Sequence, residues 1–189
     1  MTNHVSVNRS LIHVTVLLVL SFSLCAHAGP AQAREFQTKT QLLRNAEFVD
    51  TLLERIDRSR SRIVMSYFIF KTTDKRGNLP AKVVDALVDA RRRGVSVTVL
   101  LEQSDDRRED SLNRDNHQTA RDLRRGGVKV LFDDPRRTTH VKSTVIDDRY
   151  VFIGSHNLTH SALGRNNELS VLIDSPELAR EATSYLQGL

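Results

Sequence analysis

His140-Val141-Lys142, four residues, Asp147, six residues and then Gly154-Ser155-His156-Asn157 form a spaced set whose side-chain types suit a phosphodiester. A histidine and a lysine two apart in an extended segment project to the same face. A Gly-Ser-x-Asn turn after a second apolar run brings small and amide side chains toward that point. A neutral imidazole can attack phosphorus and split one difficult displacement into two easier ones. An ammonium holds a non-bridging oxygen as a point charge, and a carboxamide donates to another. Such donors act most strongly where negative charge develops, on the pentacoordinate phosphorus. His140 is therefore the candidate nucleophile, and Lys142, Ser155 and Asn157 are candidate phosphate ligands. Gly154 is expected to allow close backbone approach, and Asp147 to bond backbone amides at a hairpin corner. Each residue has a plainer reading alone: a surface histidine, an exposed strand lysine, a polar turn. The joint spacing argues for the chemical one.

That spacing, HxK-x4-D-x6-GSxN, resembles the HKD motif of the phospholipase D superfamily. The resemblance extends over the apolar strand Ile63 to Phe70 and the helix and strand through Leu101. It is nearest to the small bacterial endonucleases that carry a single motif. It implies that Glu168, in Arg165-Asn166-Asn167-Glu168-Leu169, hydrogen-bonds the nucleophilic His140 and supports the imidazolium. It also implies a homodimer with one motif from each subunit at a shared site, because this motif occurs once here. One His140 then attacks phosphorus while the other donates a proton to the leaving oxygen. No metal or other cofactor is expected. The structural role of Asp147 and the catalytic role of Lys142 and Asn157 also follow from the resemblance.

The elements that must position these residues follow from hydrophobic period and punctuation. Thr38–Leu43 reads as a strand, and Asn45 as a cap for a helix over Ala46–Arg58. Arg62–Phe70 is almost wholly apolar, as a buried strand would be. Pro80 suits the first turn of a helix that ends at Gly94. Strands are expected at Val95–Leu101, Val128–Phe132, 139–146, 149–153 and Leu169–Ile173. Glu102–Asn116 reads as a long charged surface loop, with a helix from His117 to Arg125. Ser175 caps a last helix beginning Pro176-Glu177. Helices alternating with strands, then a run of strands, predict an α/β (α+β) fold: a mixed β-sheet flanked by helices, of the phospholipase D/nuclease-like kind.

Leu11 to Ala26 is an apolar run followed by the small-x-small sites Ala26-His27-Ala28 and Ala31-Gln32-Ala33. Residues 1–33 are expected to be a signal peptide and 34–189 a single domain, placing the protein in the periplasm or outside the cell. The alternative is an uncleaved segment anchoring it to the inner membrane. The single cysteine, Cys25, lies in that segment, which excludes a disulfide framework or a cysteine metal site in the remainder.

The formal net charge is +5, with arginines clustered at 58–62, 91–93, 107–108, 124–125 and 136–137. Solvated helix ends and loops account for such clusters, and for 91–93 that reading is preferred. Together they are compatible with a polyanionic partner. The favoured function is a sequence-nonspecific nuclease acting on DNA or RNA. A phospholipase D or phosphatidyltransferase is the alternative, and a binding module without catalysis the third reading.

Overall fold

The computed structural model describes Met1 and residues 33–104 and 111–189. Residues 2–32 of the expected signal peptide, like Arg107 and Arg108, lie outside the described residues. Among the described residues no helix is long and apolar enough to cross a membrane.

Seven strands form one sheet in the order β1-β7-β6-β5-β2-β3-β4. β2 (Arg62–Tyr67), β3 (Ser96–Leu101) and β4 (Lys129–Phe132) are parallel. They are joined by α2 (Leu79–Arg92) and α3 (Ser111–Arg125), as parallel strands require. β5 (Lys142–Ile146), β6 (Tyr150–Gly154), β7 (Leu169–Asp174) and β1 (Lys39–Arg44) are antiparallel neighbours. The halves meet where β5 pairs antiparallel with β2. This is the mixed sheet expected.

Helices cover both faces. α1 (Glu47–Asp57) turns Phe48, Val49, Leu52 and Ile56 onto the sheet at helical spacing. They share one core with Val83 and Leu87 of α2, Ala120 and Leu123 of α3, and Met65, Tyr67 and Phe152 of the sheet. On the other face Ala179 and Leu186 of α5 (Pro176–Gln187) cover Val64, Val145 and Val151.

Four local expectations are corrected. Asn45 does not cap α1 with its side chain: Ala46 is the N-cap, and Asn45 is left-handed at φ 49°. β2 ends at Tyr67 rather than Phe70, and β5 begins at Lys142 rather than 139. α3 begins at Ser111 inside the stretch read as a loop, so His117 lies within the helix. Its buried residues Asn116, Thr119, Ala120 and Leu123 are spaced helically but are mostly small or polar, which hid the pattern. A short helix, α4 (His160–Gly164), follows the Gly-Ser-x-Asn segment, capped by Thr159.

Asp147 stands at the β5–β6 turn with φ 54°. Its carboxylate accepts from the backbone amides of Arg60, Ser61 and Arg62 and from the Ser61 hydroxyl. Its own amide donates to the Arg62 carbonyl at 2.7 Å. The bonds run to the segment entering β2, so this corner pins the antiparallel half to the parallel half. Burial acts to raise the Asp147 pKa; the bonds from Ser61, Arg62 and Arg60 outweigh it and hold the carboxyl below its ordinary value.

Asp147→Asn tolerates the left-handed backbone but loses the charge-assisted bonds, and is expected to cost about 1–3 kcal/mol. A depressed folded pKa adds stability that is complete above the unfolded value, about 3.9, and disappears as pH falls through the folded one. Urea melts of wild type and variant should therefore differ fully at pH 6 and converge in acid. A gap unchanged in acid would contradict the role given to the carboxylate.

Candidate active site

The registers Tyr67↔Lys142, Ser143↔Ile153 and Gly154↔Ser170 bring four strand ends to one side of the sheet. They are the C-terminal ends of β2 and β6 and the N-terminal ends of β5 and β7. The candidate residues are the continuations of these strands: Phe68, His140 with Lys142, Ser155 to Asn157, and Glu168. Asp147 is at the other end of β5, roughly 16 Å away along an extended strand.

His140 is exposed, in the segment leading into β5. Its ring packs against Phe68, with centroids 4.5 Å apart and planes tilted by 58°. The Lys142 ammonium lies 5.1 Å from the centroid of the same ring and donates to the His140 carbonyl at 2.9 Å. One aromatic ring thus braces both the imidazole and the ammonium. Desolvation lowers the Lys142 pKa, while the charge of Glu168 pulls it upward.

Glu168 does not bond His140. Its carboxylate accepts from the Ser155 hydroxyl and, at 3.0 Å, from Asn166 Nδ2. Those donors occupy both oxygens, and its influence on Lys142 is electrostatic. Ser155 Oγ also accepts from the Leu169 amide at 3.1 Å, so the hydroxyl expected to meet phosphate is committed within the fold. Asn157 Oδ1 accepts from the Ile69 amide at 3.3 Å, which leaves its Nδ2 as the group able to donate. Gly154 is required by packing. A Cβ there would lie 2.4 Å from the Ser170 Cα, so the close approach it allows is that of β7.

Three residues that the spacing argument passed over hold this end together. His156, inside the motif, is buried and stacked on Phe48 at 4.3 Å. Its Nδ1 meets Ser170 Oγ at 2.7 Å and its Nε2 meets the Asn45 carbonyl at 3.0 Å. A carbonyl only accepts, so Nε2 carries the proton and Nδ1 accepts from Ser170. Desolvation lowers the His156 pKa, partly opposed by the Asn45 carbonyl and Glu168. Asn45 Oδ1 in turn accepts from the Glu168 amide at 2.9 Å. An aromatic four residues before Leu52 and a histidine inside the turn were the available signals.

Asn116 is fully buried and donates to the carbonyls of Phe68 and Glu102, both at 2.9 Å, while accepting from the Phe70 amide at 2.8 Å. It joins the end of β2 to the end of β3. Glu102 is also buried, and its carboxylate accepts from the amide of Thr139, the residue before His140. Burial first, and then Asp133, push the Glu102 pKa up to about 7. Asp133 Oδ1 accepts from Gln103 N at 2.8 Å, and its buried Oδ2 has no partner among the described residues. A proton on Glu102 is the complement of that bare oxygen.

A raised folded pKa means that the folded protein holds this proton where the unfolded chain releases it, from about pH 4.3 upward. Stability from Glu102 is therefore lost as pH rises through 7. Glu102→Gln keeps an acceptor for Thr139 and supplies a donor without titrating. It is expected to become more stable than wild type by on the order of 1–3 kcal/mol at pH 8, with the difference shrinking toward pH 5, in urea melts. A difference independent of pH would refute the shared proton.

Among the described residues no group of three or more His, Cys, Asp or Glu is placed to hold a metal ion. A phospholipase D from Rickettsia bellii is 32% identical over 137 residues, which are 72% of this chain and 59% of that protein. The chain thus spans about three-fifths of the length of that relative. In structure, the phospholipase D family member Nuc from Salmonella typhimurium superposes with a TM-score of 0.66 at 22% identity, covering 80% of this chain and 93% of Nuc. The phosphatidylserine synthase of Haemophilus influenzae gives a TM-score of 0.60 at 16% identity, over 79% of this chain and 38% of the synthase. Both likenesses are of fold. Residues 52–189 match the family described as cardiolipin synthase, PLD-like domain, and the chain belongs to the phospholipase D superfamily.

Proposed function

We propose that this protein is a phosphodiesterase that cleaves nucleic acid through a phosphohistidine at His140. The observation that carries the reading is the convergence of His140, Lys142 and Asn157 at one end of the sheet, with His140 and Lys142 braced on Phe68. An imidazole nitrogen of His140 forms a bond to phosphorus as the bond to the leaving oxygen breaks. Lys142 and Asn157 Nδ2 hold the non-bridging oxygens. Water then attacks phosphorus, the P–N bond breaks, and the imidazole is regenerated.

The leaving oxygen needs a proton and the attacking water must lose one. A second histidine from a second copy of the chain fills both roles in turn. An apolar row supports that assembly. Leu42, Val171 and Ile153 lie side by side across β1, β7 and β6, on the face that α5 covers farther along. Leu42 is 55% exposed and Ile153 48%, and Leu169, 53% exposed, is two residues along on the same face. These side chains border the strand ends that carry Ser155 and Glu168. A mate there would bury the patch and bring two sites near each other. The N-terminal apolar segment and its small-x-small sites support export, with a periplasmic or secreted enzyme if cleaved and an inner-membrane anchor if not.

The second reading, a phospholipase D or phosphatidyltransferase, draws on the names of the Rickettsia and Haemophilus relatives. The step at phosphorus would be the same.

His140→Ala is expected to fold normally, judged by its thermal melt, and to lose at least about a thousandfold in turnover of single-stranded DNA. Retention of most of the rate would remove His140 from the chemistry. Wild-type turnover is expected to survive excess EDTA, and full loss restored by Mg²⁺ would require a metal the scheme does not use. Ile153→Lys should convert a dimer to an inactive monomer in sedimentation and assay. An active monomer would refute the shared site.

A further inference from the structure

Beside the candidate site a polar basin of about 590 Å³ is lined by Lys71, Lys75, Arg76, Arg165, Asn78 and His160, among others. Among the described residues no carboxylate lines it. Most arginines elsewhere are committed: Arg62 to Asp148, Arg92 to Asp89, Arg125 to Asp122, Arg136 to Asp134 and Arg149 to Asp174. Lys71 pairs with Asp115 at 2.8 Å. Lys75, Arg76 and Arg165 form no ion pair among the described residues, so this corner holds a concentration of uncompensated positive charge.

Its position follows from the backbone. The Ile69 amide donates to Asn157 Oδ1 at the site, and the two segments run on in parallel, with Leu158 N donating to Ile69 O and Lys71 N to Leu158 O. Lys71 and Thr159, two residues past those anchors, enter the basin. Two extended residues span roughly 7 Å, about the reach from one phosphate of an extended polynucleotide to the next. The walls are fixed. Asn78 Oδ1 accepts from Ala81 N at 3.0 Å, Thr159 Oγ1 from Ala162 N at 3.1 Å and His160 Nδ1 from Leu79 N at 3.4 Å.

We infer that this basin is a subsite for the phosphates flanking the scissile one, so that the enzyme's substrate is a polyanionic strand held on one side of the cut by Lys75, Arg76 and Arg165. The inference rests on the phosphodiesterase reading and sharpens it. A zwitterionic choline head group has one phosphate and would present its cation to a positively charged basin. A polynucleotide presents a second and third anion there. Contact is to the backbone, which positions a strand without reading its sequence.

The test uses the triple variant Lys75→Ala/Arg76→Ala/Arg165→Ala, checked by its thermal melt. Two substrates are compared: a short single-stranded oligonucleotide, and bis(p-nitrophenyl) phosphate, a single diester with nothing to place in the basin. Oligonucleotide KM should rise at least about tenfold with kcat nearly unchanged. The log–log salt slope of oligonucleotide binding, measured by fluorescence anisotropy, should fall by about 2, at roughly 0.7 per phosphate contact. Turnover of bis(p-nitrophenyl) phosphate should stay within twofold. An unchanged KM and salt slope overturn the subsite, as does an equal loss on both substrates, which would place these side chains in the diester site itself. Loss confined to cleavage of phosphatidylglycerol vesicles, with oligonucleotide unaffected, would also overturn it and assign the basin to an anionic lipid. Wild type inactive on both substrates, yet showing the expected change in salt slope between wild type and variant, would sink the catalytic reading and leave the subsite standing.

Discussion

The antiparallel pairing of β2 with β5 is the constraint on which the other features depend. β2 belongs to a parallel array whose strands all end on one side, and β5 runs against it, so the start of β5 lies beside the end of β2. The following meander then returns the end of β6 and the start of β7 to that side. Chain segments separated by tens of residues therefore meet at a place where the direction of the sheet changes, a common location for ligand sites in open α/β sheets. Both ends of the β2–β5 pair are fastened. Asp147 ties the far end through the amides of residues 60–62, and Glu102 and Asn116 tie the near end through Thr139, Phe68 and Phe70. A one-residue slip would turn Lys142 away and bury a different set of side chains, at a cost the two apolar faces make prohibitive.

Much of this was legible in the chain. The apolar runs after Arg62 and in the strands around 142–146 and 150–154 are set by burial, and burial is what hydrophobic pattern records. The joint spacing of His140, Lys142, Asp147 and Asn157 was legible because strand and turn lengths are rigid, and the structure places His140, Lys142 and Asn157 at one end with Asp147 at the other corner. Hidden features were those made by polar side chains doing backbone work. Asn116 and Thr119 sit in a charged stretch that gives no helical apolar stripe, so the first turns of α3, up to Asn116, were read as a loop. Asn45 has the residue type of a cap, yet its carboxamide is taken by the Glu168 amide. His156, given no role by the spacing, is the buried strut of the motif. The partner of Glu168 was inferred by resemblance, and the local competition from Ser155 and Asn166 decides otherwise here.

Charge distribution also differs from what counting suggests. The arginine clusters of the sequence are mostly neutralised at short range, as in Arg92 with Asp89 or Arg125 with Asp122, or hydrogen-bonded to carbonyls, as in Arg91 to Gly127 and Arg124 to Val130. Exposed pairs of this kind contribute little to stability. Their effect is to flatten the surface potential elsewhere and leave the unpaired cations near residues 75, 76 and 165 more prominent.

The central claim is a covalent intermediate on His140, formed and resolved by two in-line displacements. The most direct test is the stereochemical course at phosphorus, using a phosphorothioate diester of defined configuration hydrolysed in isotopically labelled water. Two inversions predict net retention. Net inversion would show that water attacks the diester directly, and would reduce His140 to a base or a ligand.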